Sequence, residues 1–157
     1  MAAYRVVRRL APESAAYLAG LVDGEGTITL CAEHRGDKRE IVLSISNTDR
    51  TLLEFVRDVV GAGHITSKRT YSERHTPSFA YKITNRQALD VLSQIVGHLR
   101  TYRAKRARMA LESCLAVTPR NGKYSQAMLR MKDDFEREFL EVGPGPRGRG
   151  QDTHASD

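Results

Sequence analysis

Few side chains in this sequence are placed to do chemistry. The most suggestive is Glu25, which stands between two glycines in the run Asp23-Gly24-Glu25-Gly26. A carboxylate flanked by glycines at the end of an apolar stretch is free to point away from its own backbone. One such carboxylate is a poor site for a hard divalent cation, which takes several oxygen donors. Two of them, brought together by a two-fold axis, would supply the anionic oxygens that Mg²⁺ accepts. The same four letters in isolation also spell an ordinary tight turn. Other chemistries have less to start from. Cys31 and Cys114 are too few and too far apart for a disulfide framework and read as reduced thiols. The histidines at 34, 64, 75, 98 and 154 show no zinc-ligand spacing.

These residues need elements to position them. Residues 12–23 read as a helix, with Pro12 in its first turn and Glu13 at the positive end of its dipole. The glycines at 24 and 26 are expected to end it, leaving Glu25 just beyond the helix. Residues 27–33 and 40–46 alternate as strands across a polar turn containing Gly36 and Asp37. Thr48 or Asp49 can cap a helix over 50–60, which Gly61-Ala62-Gly63 stops. Strands 64–70 and 78–84 follow, joined by a polar loop from Tyr71 to Pro77. Asn85 can cap a helix over 86–97, and further helices cover 102–117 and 125–141. In the last of these, Met128, Met131, Phe135 and Phe139 recur at helical spacing. From Gly143 periodicity is lost. The expected organisation is therefore a domain over 1–142 and a disordered basic and polar tail over 143–157. Strands in hairpin pairs between helices argue for an α+β class: an antiparallel four-stranded sheet in an αββαββα core, followed by C-terminal helices.

Alternation divides this sheet into two faces. Ile28, Leu30, Ala32, Ile41, Leu43, Ile45, Ile65, Phe79, Tyr81 and Ile83 are expected to meet the helices. The opposite face would carry Thr27, Thr29, Arg35, Ser44, Ser46, Thr66, Lys68, Thr70 and Lys82, with Glu33, Val42 and Ala80 among them. A solvated sheet face accounts for such a pattern, and so does a surface laid against DNA, where hydroxyls and cations reach base edges and phosphates. The 157 residues hold 25 Lys and Arg against 19 Asp and Glu, a formal charge of +6 that favours a polyanionic partner. No apolar run approaches the roughly 18 residues that mark a membrane span, so no membrane partner is expected. Arg5, Arg8 and Arg9 precede no apolar segment of the secretory kind, and the expected setting is intracellular.

Leu18-Ala19-Gly20-Leu21-Val22-Asp23-Gly24-Glu25-Gly26 resembles the nonapeptide that names the LAGLIDADG homing endonuclease family, and Thr27-Ile28-Thr29 matches the strand that follows it. SISNTD at 44–49, GAG at 61–63, YKITNR at 81–86 and HLRTYRAKRARMALE at 98–112 also resemble that family's downstream order, so the likeness covers residues 15–117. The resemblance implies a site-specific endonuclease of the single-motif, homodimeric type that hydrolyses both strands of a long pseudo-palindromic duplex DNA site. It implies that Glu25, with the Gly24 carbonyl, binds Mg²⁺ (or Mn²⁺ or Ca²⁺), and that Asp23 supports the helix ends. Asn47 corresponds to the family's water-positioning amide. Arg103, or Lys105, corresponds to its basic residue near the scissile phosphate. The family usually carries Gln and Lys at these places, and Arg would stabilise phosphate without transferring a proton. Ala16 and Gly20 share one helix face, widened by Ala19, and small residues there would let a second copy of the helix approach. Two readings stay open beside this one: a maturase of the same fold acting on intron RNA, and a DNA-binding protein that does not cleave.

Overall fold

The computed structural model describes residues 4–68, 73–114, 116–117, 119 and 121–145. In chain order, α1 spans Pro12–Glu25, β1 Gly26–Cys31, β2 Glu40–Asn47, α2 Arg50–Val60, β3 His64–Ser67 and β4 Phe79–Thr84. Then come α3 (Asn85–Ile95), a single 3-10 turn over Val96–His98, α4 (Tyr102–Ser113) and α5 (Gln126–Glu141). The expected αββαββα order with C-terminal helices is present. The four strands make one antiparallel sheet in the order β1-β2-β4-β3.

The register sorts side chains as alternation predicts. Ile28 pairs with Leu43, and Leu43 with Ile83; Ile45 pairs with Gly26 and with Tyr81. All of these side chains are buried. The helices meet them with Leu18 and Val22 of α1, Leu53, Val56 and Val60 of α2, and Val91, Leu92 and Ile95 of α3. Capping follows simple chemistry. The Asp49 carboxylate accepts the Thr51 N–H at 3.0 Å, and Gly61, at φ 78°, ends α2 in the left-handed conformation. Ser125 opens α5 by accepting the Met128 N–H at 3.2 Å.

Several boundaries and faces differ from expectation. Helix α1 runs through Asp23 and Gly24 to Glu25, so Glu25 is its last residue and not a turn residue beyond it. Two glycines cost a helix about 1 kcal/mol each. Bonds from α4 to the last turn, described below, offset that cost. Strand β1 stops at Cys31, whose partner Glu40 is the first residue of β2. Ala32, Glu33 and Arg35 therefore leave the sheet: Ala32 is exposed, and Arg35 lies in the connecting turn that Gly36, at φ 94°, completes. Strand β3 ends at Ser67, and Lys68 follows it with its N–H on the Ser78 carbonyl at 2.8 Å. Thr70 and Tyr71 lie outside the described residues, as do Arg147 and Arg149. Asn85 makes no cap; Thr84 holds that position without a side-chain bond, and Asn85 takes φ 55°. On α5, Met131 is exposed, and Lys132 turns inward with Phe135 and Phe139. Among the described residues, no helix is long and apolar enough to cross a membrane.

Candidate functional site at the end of the first helix

Helix α1 delivers Glu25 to the edge of the sheet, and β2 delivers Asn47 beside it. The Asn47 Nδ2 donates to Glu25 Oε2 at 2.6 Å. The Asn47 Oδ1 accepts the Asp49 N–H at 2.7 Å. Because a backbone N–H can only donate, this second bond fixes which way the amide points and directs its NH₂ to the carboxylate. Glu25 itself is exposed. Two residues 22 apart in sequence thus form one oxygen-rich corner. No group of three His, Cys, Asp or Glu side chains among the described residues could hold a metal. One copy of Glu25 with the Gly24 carbonyl offers hard oxygen donors of the type Mg²⁺ or Ca²⁺ accepts, but too few of them. The donor type fits such an ion; the number of donors in one copy does not fill its coordination.

Asp23 faces away from that corner. Its carboxylate accepts the Arg100 N–H at 2.8 Å, the Thr101 N–H at 3.2 Å and the Thr101 hydroxyl at 2.6 Å. It ties the end of α1 to the start of α4. Burial alone would raise its pKa, but these bonds together with the Arg103 charge outweigh burial and hold the carboxyl below its ordinary value. Arg103 answers from α4. Its Nε donates to the Gly26 carbonyl at 2.7 Å and its Nη1 to the Asp23 carbonyl at 3.0 Å. A guanidinium engaged with two carbonyls at a helix C-terminus offsets the dipole there and satisfies orphan acceptors. That engagement makes Arg103 a clamp on the backbone that carries Glu25. Lys105 is exposed on α4.

Arg100 is a further basic residue at this end of α1, outside the set expected from the sequence. Its backbone is pinned by Asp23 at the same end of α1 as Glu25, and its side chain is exposed.

The expected polar face of the sheet is arranged in rows. Thr27 pairs with Ser44, Ser44 with Lys82, and Lys82 with His64, so four hydrogen-bonding side chains cross all four strands. The next row holds Ser46, Ala80 and Thr66, and another holds Thr29, Val42 and Thr84. His64 is an addition to the expected set; its alternation with the apolar Ile65 was the available signal. Ala80 lies on this face yet is buried. Arg35 stands off this face in its turn, and Lys68 continues the β3 alternation one residue past the strand. On α1, Ala16 and Gly20 are exposed, whereas Ala19 is fully buried in the subunit's own core and does not widen their stripe.

A family model described as the LAGLIDADG-like domain matches residues 12–108. No curated protein sequence matches the chain. Among solved structures, the homing endonuclease I-CvuI in complex with its target in the presence of Ca is similar at a TM-score of 0.70 and 17% identity, over 87% of this chain and 85% of that one. The archaeal intron-encoded homing endonuclease I-Vdi141I, complexed with DNA, is similar at a TM-score of 0.65 and 17% identity, over 85% and 86% of the two chains. The meganuclease I-SmaMI, bound to uncleaveable DNA, is similar at a TM-score of 0.61 and 16% identity; the likeness covers 85% of this chain but 45% of that longer one.

Proposed function

The chain belongs to the LAGLIDADG-like domain family, and from that footing we propose that it is a homodimeric endonuclease which cleaves both strands of a pseudo-palindromic duplex DNA site with a divalent metal ion. The observation that carries this reading is the exposed Glu25 carboxylate, held by Asn47 at the end of α1 and at the border of a polar sheet face. Structurally similar proteins captured with DNA support it.

In this reading each residue has a distinct task. Glu25 from each of two copies, with the Gly24 carbonyls, would hold Mg²⁺ or a similar ion between the paired α1 ends. When bound, the ion supplies the acidity that activates water and the charge that stabilises phosphate oxygens. Asn47 keeps the carboxylate aimed outward through one Nδ2 hydrogen and has the other left to orient a water. Arg100 presents a permanent positive charge to the scissile phosphate, taking the part first expected of Arg103, whose donors serve the helix end. The open face of the sheet, with Thr27, Ser44, Lys82 and His64, lies along the major groove and reads bases.

The test is Glu25→Gln, which keeps the shape and removes the charge. Cleavage of plasmid DNA bearing a selected site should fall by more than about 10²-fold, while folding and binding of the same DNA persist. A variant that cuts at the wild-type rate in Mg²⁺ overturns the assignment. Binding to intron RNA, measured on the same preparation, separates a maturase role from this one.

A further inference from the structure

We propose that the cavity between the start of α3 and helix α5 binds a phosphate monoester, at a place separate from Glu25. This cavity, of about 670 Å³, is lined by Arg86 and Gln87 of α3, Lys38 of the β1–β2 connection, Tyr124, and Lys132 of α5, over a floor that includes Phe135. It opens at the Leu30 and Ile41 end of the sheet. Glu25 precedes the other end of β1, roughly 13 Å away at 3.3 Å per residue. Leu30, Ile41 and Leu89 of its lining belong to the buried core, and the cavity reaches round the end of the sheet at Glu40 and Thr84.

Two independent observations point to an anion. The first is Lys132, only 6% exposed, which makes no ion pair with any described residue: the three ion pairs lie elsewhere. Its ammonium sits 5.5 Å from the centre of the Tyr124 ring, and the Lys38 ammonium sits 5.5 Å from the same centre. Two like charges converge on one ring with no carboxylate of the described residues salt-bridged to either, although Glu40 and Glu136 also line the cavity. The Lys132 stem is buried while its ammonium is not sealed away from solvent, since no sealed side-chain nitrogen or oxygen among the described residues lacks a partner. A charge held at a cavity wall with no counter-ion is one that a ligand carrying negative charge would pair. The Lys132 charge reaches the cavity wall: burial pushes the Cys114 thiol up to about 11, and Lys132 pulls against it.

The second is α3 itself. This 11-residue helix has no side-chain cap on its N-terminus and no acidic residue in its first turn. Its first N–H groups and the positive end of its dipole are presented where Arg86 and Gln87 line the cavity. A helix N-terminus and two ammonium groups together suit a dianion, which a terminal phosphate carries, more than the single charge of a backbone phosphodiester. The apolar floor gives room for the organic part of such a ligand.

Amide NMR shifts of the full chain, titrated with inorganic phosphate and with adenosine monophosphate against matched sodium chloride, test this. Saturable shifts are expected at the amides of Arg86 and Gln87. Lys132→Met, an unbranched apolar replacement, should weaken that binding tenfold or more, as should Lys38→Met at an exposed position where folding is not at stake. A short oligonucleotide with a 5′-phosphate, compared with its 5′-hydroxyl form, tells a strand terminus from a free ligand. Response to either monoester source supports the site. Shifts that match those in chloride, that are equal for the two oligonucleotides with no response to the free monoesters, or that are unchanged in both lysine variants, overturn it. DNA cleavage by Lys132→Met should stay at the wild-type rate, so failure here leaves the Glu25 reading untouched.

Discussion

Gly26 and Gly63 are required for different physical reasons. At Gly26 the backbone is extended, but an added Cβ would stand 2.6 Å from the Val22 Cα, because the chain turns from helix to strand within its own last turn. At Gly63, φ is +93° and a Cβ would meet the buried Tyr81 ring at 2.6 Å. That ring is fixed by its hydroxyl donating to the Ala62 carbonyl at 2.7 Å, and burial raises its pKa far above the ordinary value. Gly63→Ala should therefore cost about 2–4 kcal/mol in urea unfolding, and Tyr81→Phe about 1 kcal/mol. A Gly63→Ala protein as stable as wild type would mean that the turn relaxes freely. The arginines at 100 and 103 divide labour in the same local way. Arg103→Ala should lower stability by about 2 kcal/mol, since it removes two charge-assisted bonds to carbonyls at the end of α1. Arg100→Ala should leave thermal unfolding unchanged and slow DNA cleavage by about 10²-fold. The reverse pattern, with Arg103→Ala stable but inactive and Arg100→Ala active, would restore Arg103 to the phosphate.

At the scale of elements, the junction between α1 and α4 depends on one ionised side chain. Asp23 titrates below its unfolded value, so the charged form favours the folded state. Its contribution is full above the ordinary carboxylate value of 3.8 and is lost as the pH falls through the lower folded value. Asp23→Asn should cost about 1–2 kcal/mol at neutral pH, and variant and wild type should converge in strong acid. A gap of constant size across that range would show that the lost bonds, and not the charge, matter. This junction also marks what the sequence discloses. Strand alternation and the Asp49 cap are local signals, and they placed the sheet faces and the start of α2. Glu25, Asp23 and Asn47 could be singled out because they sit in a recognisable nonapeptide or at a strand end. The extension of α1 to Glu25 was not legible, because it depends on Arg103 and Thr101, 77 to 80 residues away. Ala19 was assigned outward by residue size, and burial in the subunit's own core reversed it. Met131 is exposed and Lys132 buried because helical spacing back from Phe135 fits either residue, and hydropathy alone favoured Met131.

For the whole molecule, the outer face of α1 is what a single copy leaves unexplained. Gly20 and Gly24 lie on it four residues apart, and a Cβ at either would meet nothing within 4 Å. In a lone subunit each is a cost of about 1 kcal/mol against alanine, with no return in packing or backbone geometry. Beside them Tyr17 and Phe55 are 51% and 47% exposed and touch edge to face at 5.7 Å, which is much aromatic surface to leave in water. A second copy of α1, approaching closely along Ala16, Gly20 and Gly24 and flanked by those rings, accounts for both features. It would also set two Glu25 carboxylates side by side and two polar sheet faces end to end. The recognised DNA would then be a pseudo-palindrome of about 20 base pairs, close to two helical turns. Gly20→Leu should hold the helices apart, giving a folded monomer in sedimentation and no double-strand cleavage. Gly20→Ala should do so partially while raising the helical stability of any monomer. Lys68→Ala, by contrast, should leave the dimer intact and cost about 1–3 kcal/mol of DNA binding at one symmetric pair of positions. A wild-type chain that sediments as a monomer at micromolar concentration and still cuts both strands would remove the need for a partner and with it the explanation of the two glycines.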